Sequence, residues 1–381
     1  MSFQDVNDGL YNEMASGLGQ SKGSFVLLQP CNPVLNNNAL WNHYFNLIPP
    51  YSIFFNMTLS GGAQFFDNYN ALCSALLSPD TETFEKAVPQ AIQDAFVAYC
   101  TSRPTLPDPA QLPAVFRNWA FLTHPSIANT GASAYAAALL DPVFAMQQRV
   151  LLYQGDPNAT PPVAAIPPDW DESYTSLTQQ LAAGVSRSFS YSQSQASLDV
   201  SETWTHGTSS GFFGLFGGSS SSSSQSVTFS KSDFTVNASF KHVITFSPVP
   251  GAWFSSAGLA IAFNNKNKAP WIIPNVVTWD SAFDPYPLNG NLARFIVNLV
   301  VVDTMNVKVT SQAIFSQNDQ TVIHTNSGGG LWPFYTSNSG NGAATTFSFD
   351  NQGHMTVQIT SLPGVPIVLG ANVLPVNQYI S

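Results

Sequence analysis

Charged residues are scarce in this sequence. Asp, Glu, Lys and Arg make up 9% of its 381 residues, against roughly 25% in a typical soluble domain. The net charge is −10, and no segment gathers the 12 basic residues into a patch or stripe. We therefore expect no nucleic-acid partner, and any membrane contact has to come from apolar groups or a specific receptor.

Cysteine pairs, long apolar runs and a secretion signal are also missing. Cys31, Cys73 and Cys100 are an odd number without paired spacing, so we expect three buried thiols and no disulfide framework. No segment has about 18 consecutive apolar residues, which argues against a transmembrane helix. The first twenty residues lack the basic and apolar regions of a Sec signal peptide, and we expect a protein made in soluble form without one.

Motifs of the common catalytic and cofactor sites are absent. The six histidines form neither His-x-x-x-His nor His-Glu-x-x-His, and there is no Cys-x-x-Cys, nucleophile elbow, P-loop or dinucleotide-binding fingerprint. We therefore expect no metal, no cofactor and no enzymatic activity. A covalent or acid–base enzyme is left as a third alternative to the two functions described below.

Apolar spacing divides the chain into two parts. From Ala39 to about Tyr153 it follows helical periodicity, and beyond Gly184 it mostly alternates with a period of two. Between them, residues 155–169 contain five prolines, which is typical of a linker or surface strap. The sequence predicts an α+β protein with a mainly helical domain at 1–154, a proline-rich linker at 155–169 and an antiparallel β-rich domain at 170–381.

Several local elements are also predicted. The opening residues are interpreted as an arm, and the run at 295–302, apolar on both faces, as the most buried strand. A tight hairpin turn is predicted around Asn351 to Gly353. Strands are predicted at 253–263, 270–279, 291–303, 306–315, 320–325, 344–350, 354–362 and 365–374.

The most unusual stretch runs from Ser186 to Phe246. Two arms of alternating residues, rich in Ser, Thr, Gln and Asn, flank an apolar tip punctuated by glycines that let the chain reverse tightly. The large side chains of the tip are Phe212, Phe213, Leu215 and Phe216, and its glycines are Gly211, Gly214, Gly217 and Gly218. The sequence predicts one long β-hairpin with an apolar end.

The returning arm of this hairpin is amphipathic. Its apolar face consists of Phe234, Val236, Phe240, Ile244 and Phe246. Both arms exceed the roughly 9 to 11 residues that a membrane-spanning strand needs. Because unpaired backbone groups are not tolerated in hydrocarbon, one hairpin crosses a bilayer only within a closed barrel built by several copies.

These arms and their tip resemble the insertion hairpins of β-barrel pore-forming toxins, which combine Ser/Thr-rich alternating arms with an apolar tip. The resemblance covers about 60 of the 381 residues and involves no signature motif. It implies a non-enzymatic, toxin-like protein that inserts the hairpin as a homo-oligomer, outside the cell or at a target membrane. Asp199 and Glu202 depart from the pattern because they are out of phase with the polar face of the rising arm.

A second interpretation of the hairpin needs no membrane. An apolar tip also fits a neighbouring copy, which predicts a self-assembling structural subunit, in a filament, shell or lattice, with the hairpin as an intersubunit ribbon. Both interpretations predict copies of the same chain as partners, and the pore-forming one adds a lipid membrane. His206 beside the tip and His242 on the apolar face are candidate pH sensors, since histidine changes charge between about pH 5 and 8.

Overall fold

The computed structural model describes residues 3–34, 38–56, 64–155, 164–194, 228–229, 232–285, 290–325, 334 and 343–380. They form helices and a mostly antiparallel sheet, so the predicted α+β class is confirmed. The chain makes two compact units, each discontinuous in sequence. Unit 1 comprises Met1–Gly62, Glu172–Pro248 and Phe295–Leu374, and unit 2 comprises Ala63–Asp171, Val249–Arg294 and Pro375–Ser381.

The elements are numbered along the chain. The helices are α1 (Phe3–Gly17), α2 (Asn38–Phe45), α3 (Phe65–Ser74), α4 (Thr81–Ala87), α5 (Gln90–Thr101), α6 (Leu112–Thr123), α7 (Ala128–Ala138), α8 (Pro142–Gln154), α9 (Tyr174–Ala182), α10 (Ser256–Asn264), α11 (Trp279–Phe283), α12 (Gln317–Thr325) and α13 (Val376–Tyr379). The strands are β1 (Phe25–Pro33), β2 (Phe54–Asn56), β3 (Trp170–Asp171), β4 (Val185–Ser192), β5 (Phe234–Phe246), β6 (Val249–Pro250), β7 (Arg294–Ile314), β8 (Ala343–Phe349), β9 (His354–Ser361) and β10 (Ile367–Pro375).

Unit 1 is built on one large sheet in the order β2-β1-β10-β7-β5-β4, with β9 also paired to β7 and β8 to β9. The 21-residue strand β7 is at its centre. One edge of β7 pairs with β5 from Leu299 to Ser311, and its second half also pairs with β9. The predicted strand at 295–302 is part of β7, and most of its side chains are buried. Strands β4, β5, β7, β9 and β8 therefore form a continuous antiparallel group.

The two units divide the chain differently from the consecutive domains predicted at 1–154 and 170–381. The first residues belong to unit 1 because β1 pairs antiparallel with β10 near the end of the chain. Unit 2 likewise includes a later segment, since β3 pairs with β6. Periodicity reports local elements and carries no signal for pairing between such distant strands.

Unit 2 is mainly helical, and its helix ends follow local signals. Pro89 separates α4 from α5, as expected for a residue that lacks a backbone N–H. Asp141 caps α8 by accepting a 2.7 Å hydrogen bond from the N–H of Phe144, with Pro142 in the first turn. A cluster of aromatic rings around the fully buried Trp253 fills part of the interior of this unit.

The structure corrects three strand predictions and the prediction that the opening residues form an arm. Residues 256–264 form helix α10, whose start Ser255 caps by accepting from the N–H of Gly258. Residues 320–325 belong to α12, and 270–279 form mostly irregular backbone ending in α11. The opening residues form α1 rather than an arm, because Val6, Leu10 and Met14 recur at helical spacing and are fully buried.

Candidate functional site

Within the predicted hairpin, the structure describes the base, at residues 186–194, 228–229 and 232–246. The tip residues Gly211, Phe212, Phe213, Gly214, Leu215, Phe216, Gly217 and Gly218 lie outside the described residues, as does His206. The base consists of β4 and β5, which pair antiparallel with Ser192 opposite Thr235, and the register shifts once between Val185 and Arg187. The arms therefore start from the edge of the sheet in unit 1.

One face of the five-stranded group is apolar. Directly opposed residues form two rows across β4, β5, β7, β9 and β8. The rows are Tyr191, Val236, Val309, Val357 and Phe347, and Phe189, Ala238, Val307, Ile359 and Thr345. All of these side chains except Thr345 are buried. The predicted apolar residues Phe234, Val236, Phe240 and Phe246 are buried too, whereas Ile244 is half-buried.

The opposite face is polar and almost uncharged. Three rows cross the same strands: Ser192, Thr235, Thr310, Thr356 and Ser348; Ser190, Asn237, Lys308, Gln358 and Thr346; and Ser188, Ser239, Asn306, Thr360 and Ala344. All are exposed or half-buried. Ser190 donates to Asn237 (2.8 Å) and Gln358 to Asn306 (2.5 Å), so hydrogen bonds link neighbouring strands. Lys308 is the one charged residue in these rows.

Helix α1 and two phenylalanine rings, one of them from the returning arm itself, cover the apolar face of the arms. Helix α1 lies directly on β4, because a Cβ atom added at Gly17 would come within 2.4 Å of Phe189 Cβ. Phe334 stacks on Phe189 with ring centroids 6.3 Å apart, and Phe229 packs against Phe234 at 4.9 Å. Burial, with a smaller contribution from the charge of Asp5 in α1, raises the pKa of Tyr191 above its ordinary value. The arm bases are thus packed within the unit.

His242 contacts a carboxylate across β5 and β7. Its Nδ1 atom lies 3.3 Å from Oδ2 of Asp303, whose Oδ1 accepts a 2.9 Å hydrogen bond from the N–H of Gly364. Both side chains are largely buried. The contact therefore links β5 to β7 through their side chains. The pH-sensing role of His242 stays a prediction.

A surface cleft of about 430 Å³ lies beside the base of the arms. Gly19, Gln180, Gly184, Arg187 and Ile244 are among the residues that line it. The guanidinium of Arg187 makes no ion pair within the described part of the chain, and it would lie 3.0 Å from a Cβ atom at Gly19. The cleft thus places the guanidinium of Arg187 beside a few apolar side chains. Such a lining suits a small ligand with a polar or anionic group.

The cysteines are free and buried, as predicted. Burial raises the pKa of Cys31 and of Cys100 to about 12, and that of Cys73 further, so their thiols carry almost no reactive thiolate at neutral pH. No group of three or more His, Cys, Asp or Glu side chains arranged to hold a metal occurs within the described ranges.

The sequence predicts the alternating arm β5 but not the elements and side chains that contact it. The helical periodicity of α1 is visible in the sequence, whereas its position on β4 and the contact between His242 and Asp303 depend on distant parts of the chain. No helix in the described segments is long and apolar enough to span a bilayer. No family model matches the chain, and comparisons with curated proteins and with solved structures find no significant match.

Proposed function

We propose that this protein is a non-enzymatic pore-forming protein that inserts residues 186–246 into a membrane as a homo-oligomer. The observation that supports the proposal best is the two-faced strand β5, which has buried Phe234, Val236 and Phe240 on one side and exposed Thr235 and Asn237 on the other. A strand in a pore needs this arrangement, because one face meets lipid and the other meets water.

The composition of the polar face also favours membrane entry. Ser, Thr, Asn and Gln side chains can hydrogen-bond with one another, as Ser190 does with Asn237. A charge at the centre of a bilayer costs about 2.5–3.5 kcal/mol on insertion scales, and β4 and β5 together contribute no charge to the three polar rows. The paired base of the arms, 188–192 with 235–239, therefore avoids this electrostatic cost, whereas the charged residues elsewhere in 186–246 must lie outside the centre of the bilayer: Arg187, Asp199, Glu202, Lys231, Asp233 and Lys241.

The proposal requires the arms to leave their present positions. In unit 1 the apolar face of β4 and β5 is covered by α1, Phe229 and Phe334, which keeps it from water before insertion. Because every strand edge must be paired inside hydrocarbon, β5 exchanges its partner β7 for an arm of a neighbouring copy. Separation of β5 from β7 is thus a necessary step.

A disulfide across β5 and β7 tests this step. Asn237 and Lys308 are directly opposed on the exposed face, and opposed residues in antiparallel strands have Cβ atoms about 4.5–5.5 Å apart. We expect Asn237→Cys combined with Lys308→Cys to abolish dye release from liposomes when oxidised and to recover it after reduction. The native cysteines are buried and do not compete for pairing.

The matched control shares one of the two cysteines. Asn237→Cys combined with Ser190→Cys links β4 to β5 and leaves the hairpin free to move as a whole. It should release dye whether oxidised or reduced. Undiminished release by the oxidised β5–β7 variant would show that β5 stays on β7 and would overturn insertion of residues 186–246.

A self-assembling structural subunit is the second candidate. It is favoured by the ends of the five-stranded group, because within the described residues β4 pairs only with β5 and β8 only with β9. Open edges can accept a strand from another chain. Light scattering discriminates between the two: large assemblies in buffer without dye release favour the subunit, and oligomers that form only with liposomes favour the pore.

A further inference from the structure

An exposed apolar loop in unit 2 separates α10 from α11. Its residues 270–277, together with Leu77 from a neighbouring segment, are called the apolar loop below. The exposed fractions are 65% for Ile273, 96% for Val276, 57% for Leu77 and 38% for Ile272. Single exposed aliphatic residues are ordinary, but four of them in one place mark an interaction surface.

The apolar loop is held in shape from beneath. Leu77 N–H donates to the carbonyl of Pro270 (2.8 Å), and Ile272 N–H donates to that of Ala75 (2.9 Å). Trp271 is buried, and its indole N–H donates to the carbonyl of Ala262 at 3.0 Å. Because Trp271 anchors the backbone on the inner side, its exposed neighbours are presented outward.

The base of the apolar loop carries a tryptophan and two lysines. Trp279 donates its indole N–H to the carbonyl of Phe263 (2.7 Å), and the ammonium of Lys266 lies 4.3 Å from the centre of its ring. Lys266 also pairs with Asp280 at 2.5 Å, while Lys268 is exposed. From residue 269 to 279 the chain has no charged side chain. An uncharged aliphatic tip above a rim of Trp and Lys is typical of surfaces in the membrane interface.

We infer that the apolar loop docks the protein on the surface of a phosphatidylcholine bilayer, with Ile273 and Val276 inserted among the lipids. A second copy of the chain fits the loop less well. A stable interface takes about 20–30 residues from each partner, and the apolar loop offers four exposed aliphatic residues. A bilayer needs only a small apolar projection and a neutral tip. The inference rests on the proposed membrane target, but not on insertion of the hairpin.

Flotation with phosphatidylcholine vesicles tests the inference on the full chain. Ile273→Asn combined with Val276→Asn should weaken vesicle binding about tenfold or more, because two exposed aliphatic side chains lose their transfer into lipid. The control combines Leu122→Asn with Leu140→Asn, which are 89% and 84% exposed elsewhere in unit 2. It should bind as the wild type does.

The disulfide-locked protein separates docking from pore formation. Oxidised Asn237→Cys/Lys308→Cys protein should still float with vesicles. Wild type that binds without releasing dye would overturn the pore and leave docking standing. Dye release with unchanged binding by the loop variant would overturn docking and leave the pore standing. Failure of the wild type to bind vesicles would also overturn docking. A loop variant whose oligomeric state changes in buffer would overturn it in favour of a second copy of the chain as the partner.

Discussion

At the scale of single residues, Asp350 shows how one side chain fixes a turn. Its carboxylate accepts hydrogen bonds from the backbone N–H groups of Gln352 (2.8 Å) and His354 (2.9 Å) and lies 2.8 Å from Nδ1 of His354. The tight turn that the sequence predicts before Gly353 is therefore present, and Gly353 adopts the positive φ of 88° that such a turn favours. The backbone and ring of His354 lower the pKa of Asp350 below its ordinary value.

This lowered pKa gives a prediction for acid stability. A carboxyl group whose folded-state pKa is depressed stabilises the protein above its unfolded pKa, and the contribution is lost as the pH falls through the folded value. Asp350→Asn removes the titrating group, so its free energy of unfolding should fall less steeply than that of the wild type between about pH 5 and 2.5. Urea unfolding at several pH values measures the slopes.

The control for this prediction is Asp233→Asn. Asp233 is exposed, lies just before β5, and its carboxylate makes no hydrogen bond with a described residue. Its variant should follow the wild-type slope. If Asp350→Asn also followed that slope, the hydrogen bonds of the turn would not be the source of the acid sensitivity.

At the scale of elements, the contact between α1 and β4 decides how firmly the arm is covered. A Cβ atom at Gly17 would lie 2.4 Å from Phe189 Cβ and 2.9 Å from the carbonyl oxygen of Ser188. Neither atom can rotate away. Alanine gains up to about 1 kcal/mol of helix propensity over glycine, but overpacking costs about 1–3 kcal/mol. The steric effect outweighs the propensity.

We therefore expect Gly17→Ala to destabilise the protein by about 1 kcal/mol and, if α1 covers the inserting arm, to speed dye release from liposomes. Ser16→Ala changes an exposed position of the same helix turn and should do neither. Leu369→Ala removes a fully buried side chain of β10 and should lower stability without speeding release. Equal acceleration by Gly17→Ala and Leu369→Ala would indicate general loosening rather than removal of a cover.

Elements differ in how well the sequence predicts them. Strand β9 and the turn before it were predicted because alternation and turn chemistry are local. Strand β7 was predicted as two strands, yet the chain continues through Thr304, whose positive φ of 54° marks a local irregularity. Helix α10 was predicted as part of a strand because residues 257–263 have no polar side chain, and for short apolar runs periodicity does not separate helix from strand.

The candidate site was predicted only where its pattern is contained in one strand. Alternation along β5 predicts its two faces, and burial follows that alternation from Phe234 to Phe240. The extension of the same two faces over β7, β9 and β8 depends on register, which the sequence of one strand does not contain. The covering helix α1 could not be placed for the same reason.

At the scale of the whole molecule, the two proposed activities, insertion of the hairpin and docking on a bilayer, belong to different units. Unit 1 contains the base of the hairpin, and unit 2 contains the apolar loop. Loss of hairpin insertion should therefore leave vesicle binding by the apolar loop measurable, and loss of binding should leave the fold of the hairpin base measurable. Deletion of residues 211–218 removes the apolar tip predicted from the sequence, and it leaves the described pairing of β4 with β5 outside the deleted range.

We expect this deletion to preserve the circular dichroism spectrum and urea unfolding of the protein, to retain vesicle binding through the apolar loop, and to abolish dye release, because four large apolar side chains no longer lead the hairpin into lipid. Replacement of the same eight residues by a Gly/Ser segment of equal length controls for shortening and should give the same result. A deletion variant that still releases dye would exclude the tip from insertion. If the wild type forms assemblies in buffer by light scattering and the deletion variant does not, the result would favour the structural subunit. Only an intersubunit ribbon uses the tip when no membrane is present.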